Sequence, residues 1–129
     1  QNLLYGAAVA GMVIANTGTS PVHSLGYSLT YYRGIAHGRA NGLILPAFLE
    51  LCSRKAPQLT ARVFSALGMT PDEFSGKIAA LLGERERFSD AQLRAYARKT
   101  AQSGKLKNCA VPCTEEELYS VLRASVGER

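Results

Sequence analysis

Apolar positions along this chain recur at three- and four-residue spacing, the period of one buried face of a helix, and almost nowhere alternate as a strand would. From Leu3 to Ile14 the chain is apolar nearly all round, broken by Gly6 and Gly11. It predicts a helix over 2–16 that is deeply buried. Thr17-Gly18-Thr19-Ser20-Pro21 is a break, with Ser20 as N-cap and Pro21 in the first turn of a helix that passes through His23 and ends between Leu29 and Tyr32. The next helix starts at His37 or Gly38 and reaches Cys52, tolerating Pro46 or kinking there. Pro57 opens a further helix that closes at Gly68. Thr70-Pro71-Asp72-Glu73, Ser89-Asp90-Ala91-Gln92 and Thr114-Glu115-Glu116-Glu117 are capping boxes, each followed by apolar residues at helical spacing. Phe74, Ile78, Leu81 and Leu82 follow the first of them, and Leu118, Val121 and Leu122 the last. The expectation is an all-α bundle of six or seven helices in a single domain spanning 1–129.

The two halves of the pattern differ. Residues 56–129 read as ordinary amphipathic helices with charged outer faces, whereas residues 1–49 carry no acidic side chain and many glycines. Such a stretch should face a large apolar or cofactor-bearing surface. The chain also opens at Gln1 directly into apolar residues, which reads as a segment continuing from something longer.

Composition removes several function classes. At 47% hydrophobic and 19% charged residues the chain has too much apolar content for a disordered tail. The net charge of +5 is spread along the sequence. Only Arg94, Arg98, Lys99, Lys105 and Lys107 gather, with little aromatic interleaving, so a solvated face is expected and no nucleic-acid partner. No apolar run approaches the ~18 residues of a membrane span, and the opening lacks a basic leader, so no membrane association is expected. Three cysteines, an odd number, argue against a disulfide scaffold and for a reducing, cytoplasmic compartment. Cys109 and Cys113, four apart without a second Cys/His pair, read as incidental thiols.

The candidate chemistry lies at His23 and His37, the 2 histidines of the chain. Imidazole is the commonest metal ligand. Were residues 23–37 one straight helix, about 1.5 Å per residue would separate the rings by roughly 21 Å. Two ligands of one ion sit ~3–4 Å apart, because each metal–nitrogen bond is about 2.0–2.1 Å. A shared ion therefore requires the chain to reverse, with Gly26 and Gly34 as the places for it.

The whole stretch, His23, then His37-Gly38 fourteen positions on, Ala40-Asn41 and Leu43-Ile44-Leu45-Pro46, resembles the metal-binding segment of the iron-containing alcohol dehydrogenases. The tail, a turn followed by Thr114-Glu115-Glu116-Glu117 and a last helix, is similar to that family's C-terminus, although Asn108-Cys109-Ala110 stands where an Asn-Pro-Arg turn is usual. The resemblance implies the C-terminal helical part of a two-domain enzyme whose N-terminal part binds NAD(P). It implies a divalent metal, Fe(II) or Zn(II), held by an Asp and a His on an earlier helix and by two later histidines, which His23 and His37 match. The Asp-x-x-x-His helix has no counterpart in this sequence. In such an enzyme the metal acidifies an alcohol for hydride transfer to the nicotinamide, or polarises the carbonyl in reverse.

The same resemblance gives two further positions. Tyr27, one turn after His23, stands where many relatives carry a histidine near nicotinamide and substrate; as a phenol it donates a hydrogen bond but shuttles protons poorly at neutral pH. Ile14, nine positions before His23, matches a bulky position lining the substrate pocket. The implied partner is a small alcohol or aldehyde; further copies of the chain are expected as partners through residues 3–16, because that first helix is so apolar. A second reading is a stand-alone helical interaction module with structural histidines. Arg39 reads as a surface arginine, with a cofactor phosphate as its alternative partner, and Gly38 and Gly42 read equally as close helix approach to the metal site and as generic helix packing.

Overall fold

The computed structural model describes residues 2–128, apart from the side chains of Lys105 and Glu128; Gln1, Arg129 and the Lys105 side chain of the basic cluster lie outside what is described. Seven α-helices follow in order: α1 (Asn2–Thr17), α2 (Pro21–Arg33), α3 (His37–Lys55), α4 (Pro57–Leu67), α5 (Pro71–Leu82), α6 (Asp90–Gln102) and α7 (Glu115–Ser125). A 3₁₀ turn over Lys105–Asn108 leads into the loop before α7. The all-α expectation holds. Its one addition is a pair of two-residue strands, β1 (Arg87–Phe88) and β2 (Gly127–Glu128), lying parallel with Arg87 opposite Gly127. Stretches this short carry no periodicity a sequence reading can detect.

Local chemistry explains the helix boundaries. In all three capping boxes the Thr or Ser side chain accepts from the backbone N–H three residues on, and the Glu or Gln side chain accepts from the cap's own N–H. The orphan donors of the first turn are thereby satisfied. Ser20 has the extended backbone of an N-cap, with Pro21 behind it, but its side chain makes no capping bond. α2 runs to Arg33, a residue beyond the expected end, because Gly34 closes it in the left-handed conformation at φ 66° and its N–H donates to the Thr30 carbonyl. α3 runs unbroken through Pro46.

The core lies between α2, α3, α6 and α7. Leu25, Leu29, Ile44, Phe88, Leu118 and Leu122 are fully buried there, and Leu93 and Ala97 join them from α6. Phe88 on β1 is thus a core residue held by the strand pair. The second half is less regular than its pattern suggests. Leu81, at helical spacing on α5, is 81% exposed, because that face of α5 turns away from α3.

The largest departure is α1. Its pattern predicts deep burial, yet none of its residues is buried. Leu3, Leu4, Tyr5 and Met12 are more than half exposed, Leu3 at 91%. Apolarity states a preference for leaving water; it takes a second surface to satisfy it. Within the described residues α1 finds that surface nowhere along its length.

Replacing Phe88 by Ala is expected to cost about 3–5 kcal/mol, the price of a large core cavity, while Leu81→Ala stays within about 0.5 kcal/mol. Urea unfolding of the two variants checks the contrast.

Candidate metal centre

The histidine pair is assembled by the α2–α3 connection. From Arg33 to His37 the chain has four steps of at most ~3.3–3.6 Å, a reach of about 14 Å. That suffices to travel back over the roughly 9 Å of helix between Tyr27 and Arg33. Ile35, 8% exposed, pins this short connection into the core. α3 consequently begins beside the middle of α2, with His37 as its first residue.

The reversal occurs at Gly34 alone. Gly26, the other expected turning point, is a buried residue inside α2 with a different task. A Cβ there would lie 2.0 Å from Asn41 Oδ1, so the Asn41 carboxamide occupies the space a side chain would take. A glycine inside a helix costs about 1 kcal/mol relative to alanine, and close approach is the usual compensation. Gly42 serves a milder contact, its Cβ position 3.4 Å from Leu82, whereas a Cβ on Gly38 would meet nothing within 4 Å.

Three sequence-predicted residues come together here. The rings of His23 and His37 have centroids 5.1 Å apart. Tyr27 stacks on His37 at 4.9 Å with planes 24° apart, and its ring lies 6.3 Å from His23. Ile14, by contrast, sits near the end of α1 and is 43% exposed. Its carbonyl accepts from Gly18 N–H at 2.9 Å.

The pair fits a divalent ion on two counts. A metal–nitrogen bond of about 2.05 Å puts the ion ~3.2 Å from an imidazole centroid, so two ligands at 90–109° have centroids roughly 4.5–5.2 Å apart. The observed 5.1 Å falls in that interval. His37 Nδ1 and Asn41 Oδ1 are also both buried without a hydrogen-bond partner, while Asn41 Nδ2 stands 3.1 Å from His37 Nε2. Turning the carboxamide about its axis lets Oδ1 accept from Nε2–H, which leaves Nδ1 with a lone pair for a cation. Metal-bound histidines usually pass their other N–H to such a neighbour. Among the described residues no group of three His, Cys, Asp or Glu side chains converges, so the pair supplies two donors.

Arg39, two residues after His37, forms a fork that sequence reasoning missed. Its guanidinium donates to both carboxylate oxygens of Glu86 and to the Leu82 and Glu84 carbonyls. It ties the start of α3 to the loop after α5. Glu86 is 47 residues away, and no local pattern announces the contact. The hydrogen bond from Arg39 holds the Glu86 carboxyl below the usual carboxylate range.

The profile for the C-terminal part of the Fe-containing alcohol dehydrogenase family matches residues 1–125. The chain belongs to that family. Long-chain-alcohol dehydrogenase 1 of Geobacillus thermodenitrificans is 35% identical to it over 63 residues, which are 49% of this chain and 16% of that enzyme. The crystal structure of an iron-containing alcohol dehydrogenase from Thermotoga maritima superposes with a TM-score of 0.78 at 33% identity, covering 91% of this chain and 32% of the other. A second iron-containing alcohol dehydrogenase structure gives 0.77 at 34% identity, covering 90% and 32%. The chain therefore spans about a third of each structural relative and a smaller share of the Geobacillus enzyme. Its seven helices are part of the family's C-terminal helical region.

Arg39→Ala is expected to lower the melting temperature, since it removes the donors to a carboxylate and two carbonyls, and Arg39→Lys to recover only part of this. A carboxyl whose folded pKa is depressed contributes stability that is complete above its unfolded value, about 4.3, and lost as pH falls through the folded value. Glu86→Gln should therefore flatten the acid side of the stability–pH profile, measured by thermal melts between pH 2 and 6.

Proposed function

We propose that this chain is the metal-site portion of an NAD(P)-dependent alcohol dehydrogenase that interconverts small alcohols with aldehydes or ketones. The approach of His23 and His37 to 5.1 Å, across the family's motif spacing, is the observation that carries this reading. His23 and His37 would hold the ion, Fe(II) or Zn(II), both of which imidazole suits. Bound there, the ion supplies Lewis-acid polarisation of the substrate oxygen. Asn41 orients the His37 ring from behind. Tyr27 covers one face of that ring and shields it from water, and its hydroxyl offers a donor to a ligand nearby. Ile14 contributes an apolar wall at the substrate side once α1 is covered.

The domain acts as part of a longer enzyme. Catalysis requires a nicotinamide beside the metal and a complete ligand shell, and such parts act as a unit. Relatives about three times as long support this division of labour. No described helix is long and apolar enough to cross a membrane. The free thiols of Cys52, Cys109 and Cys113 suit a reducing compartment such as the cytoplasm.

The 129 residues alone are expected to bind Zn(II) or Co(II) weakly, with further loss in His23→Ala and His37→Ala, and to turn over no alcohol with NAD or NADP. Metal titration by calorimetry and nicotinamide absorbance with short alcohols and aldehydes test both statements. Metal affinity unchanged in both variants, or robust turnover by this chain, overturns the reading.

One observation favours an interaction role alongside it, the uncovered apolar surface of α1. At about 25 cal/mol per Å² such surface drives association. The chain is expected to self-associate through residues 3–16, and Leu4→Lys with Met12→Lys to shift sedimentation at low micromolar concentration toward monomer. A compact wild-type monomer there counts against it.

A further inference from the structure

The loop that leads from the 3₁₀ turn into α7 carries two thiols four residues apart, in Cys109-Ala110-Val111-Pro112-Cys113. Both are partly exposed and pack against the core cluster that includes Cys52, near the end of α3. Neighbouring contacts anchor the loop. Val111 is buried in the core, Lys55 of α3 donates to the Pro112 carbonyl and to Glu117, and Thr114 caps α7. Such anchoring holds the two side chains at a set separation.

The Cys113 thiol lies in hydrogen-bond contact with the Cys109 sulfur, and its Sγ stands 3.2 Å from the Val111 carbonyl oxygen. Sulfurs that already touch across one short loop have the starting geometry for a disulfide bond of about 2.05 Å. The thiols are unequal. Burial pushes the Cys113 thiol up, and Cys52 likewise, the latter to about 11. A thiolate is the attacking species in thiol–disulfide exchange, so Cys113 and Cys52 are poor first attackers. Cys52 is also only 9% exposed.

We infer that Cys109 and Cys113 are a reversible oxidation site, a dithiol that a small-molecule disulfide converts into an intramolecular disulfide. The Cys109 thiolate attacks one sulfur of the oxidant, breaks its S–S bond and expels one thiolate. The Cys113 thiol then gives its proton to water, and its sulfur attacks Cys109 in the mixed disulfide and expels the second thiolate. Two protein thiols are oxidised, and one small disulfide is reduced to two thiols. Where thiol reductants prevail, the bond is transient and reopens. Neither histidine takes part, so the site stands apart from the metal reading.

Glutathione disulfide is the probe, applied in excess to the folded 129-residue chain, followed by acid quench, alkylation under denaturing conditions and peptide mass mapping. The expected product has lost two hydrogens, carries its single alkyl group on Cys52, and recovers all three thiols with dithiothreitol. Cys113→Ser should instead stop at a stable glutathione adduct on Cys109. Cys109→Ser should take up glutathione about tenfold more slowly than the wild type, since only poor attackers remain. His23→Ala should leave the oxidation unchanged while lowering metal affinity, so the two readings fail separately. A bond that includes Cys52, a disulfide-linked dimer, glutathione held stably on both loop thiols, or three thiols still alkylated after prolonged exposure overturns the assignment. So does equally fast uptake by Cys109→Ser.

Discussion

The close contact of α3 with the middle of α2 is the constraint on which the rest depends. It requires a helix end that accepts a left-handed residue, supplied by Gly34, and a gap in the side chains of α2, supplied by Gly26. With both in place, Asn41 settles over the α2 backbone and His37 arrives beside His23 and Tyr27. A side chain at position 26 would push Asn41 outward, and with it the ring whose Nε2 it meets. Backbone packing and the orientation of a candidate ligand are therefore one interaction seen from two sides.

Around that contact some surfaces are packed and others are open to water. α6 and α7 close the core behind α2 and α3, and Arg39 ties the start of α3 to the loop beyond α5. Such bracing sets the separation of the two imidazoles in advance, as a candidate ion site with two donors among the described residues requires. α1, the Tyr27 ring and a cleft next to it stay open to water.

Much of this architecture is legible in the order of the residues. The three capping boxes, Pro21 and the glycines after α2, α4 and α5 mark helix ends through chemistry confined to a few neighbouring residues. The spacing of His23 and His37 with their flanks points to the family and, through a distance argument, to the need for a reversal. The location of that reversal is only half legible. Gly26 and Gly34 look alike in a sequence, but the first is a contact glycine and the second a turn glycine.

What tertiary structure alone decided has a common physical character, since it depends on pairs of residues far apart in the chain. Arg39 finds Glu86, Asn41 finds Gly26, and Arg87 aligns with Gly127 in a strand too short for a pattern. Burial is likewise a property of two surfaces, which is why the most apolar segment, α1, is the least buried, while Phe88 in a polar stretch is completely enclosed. The sequence by itself determined where helices begin and end, because the hydrogen bonds that decide this lie within one turn. Which faces meet, and which stay in water, waited on the folded chain, because those energies belong to contacts rather than to residues.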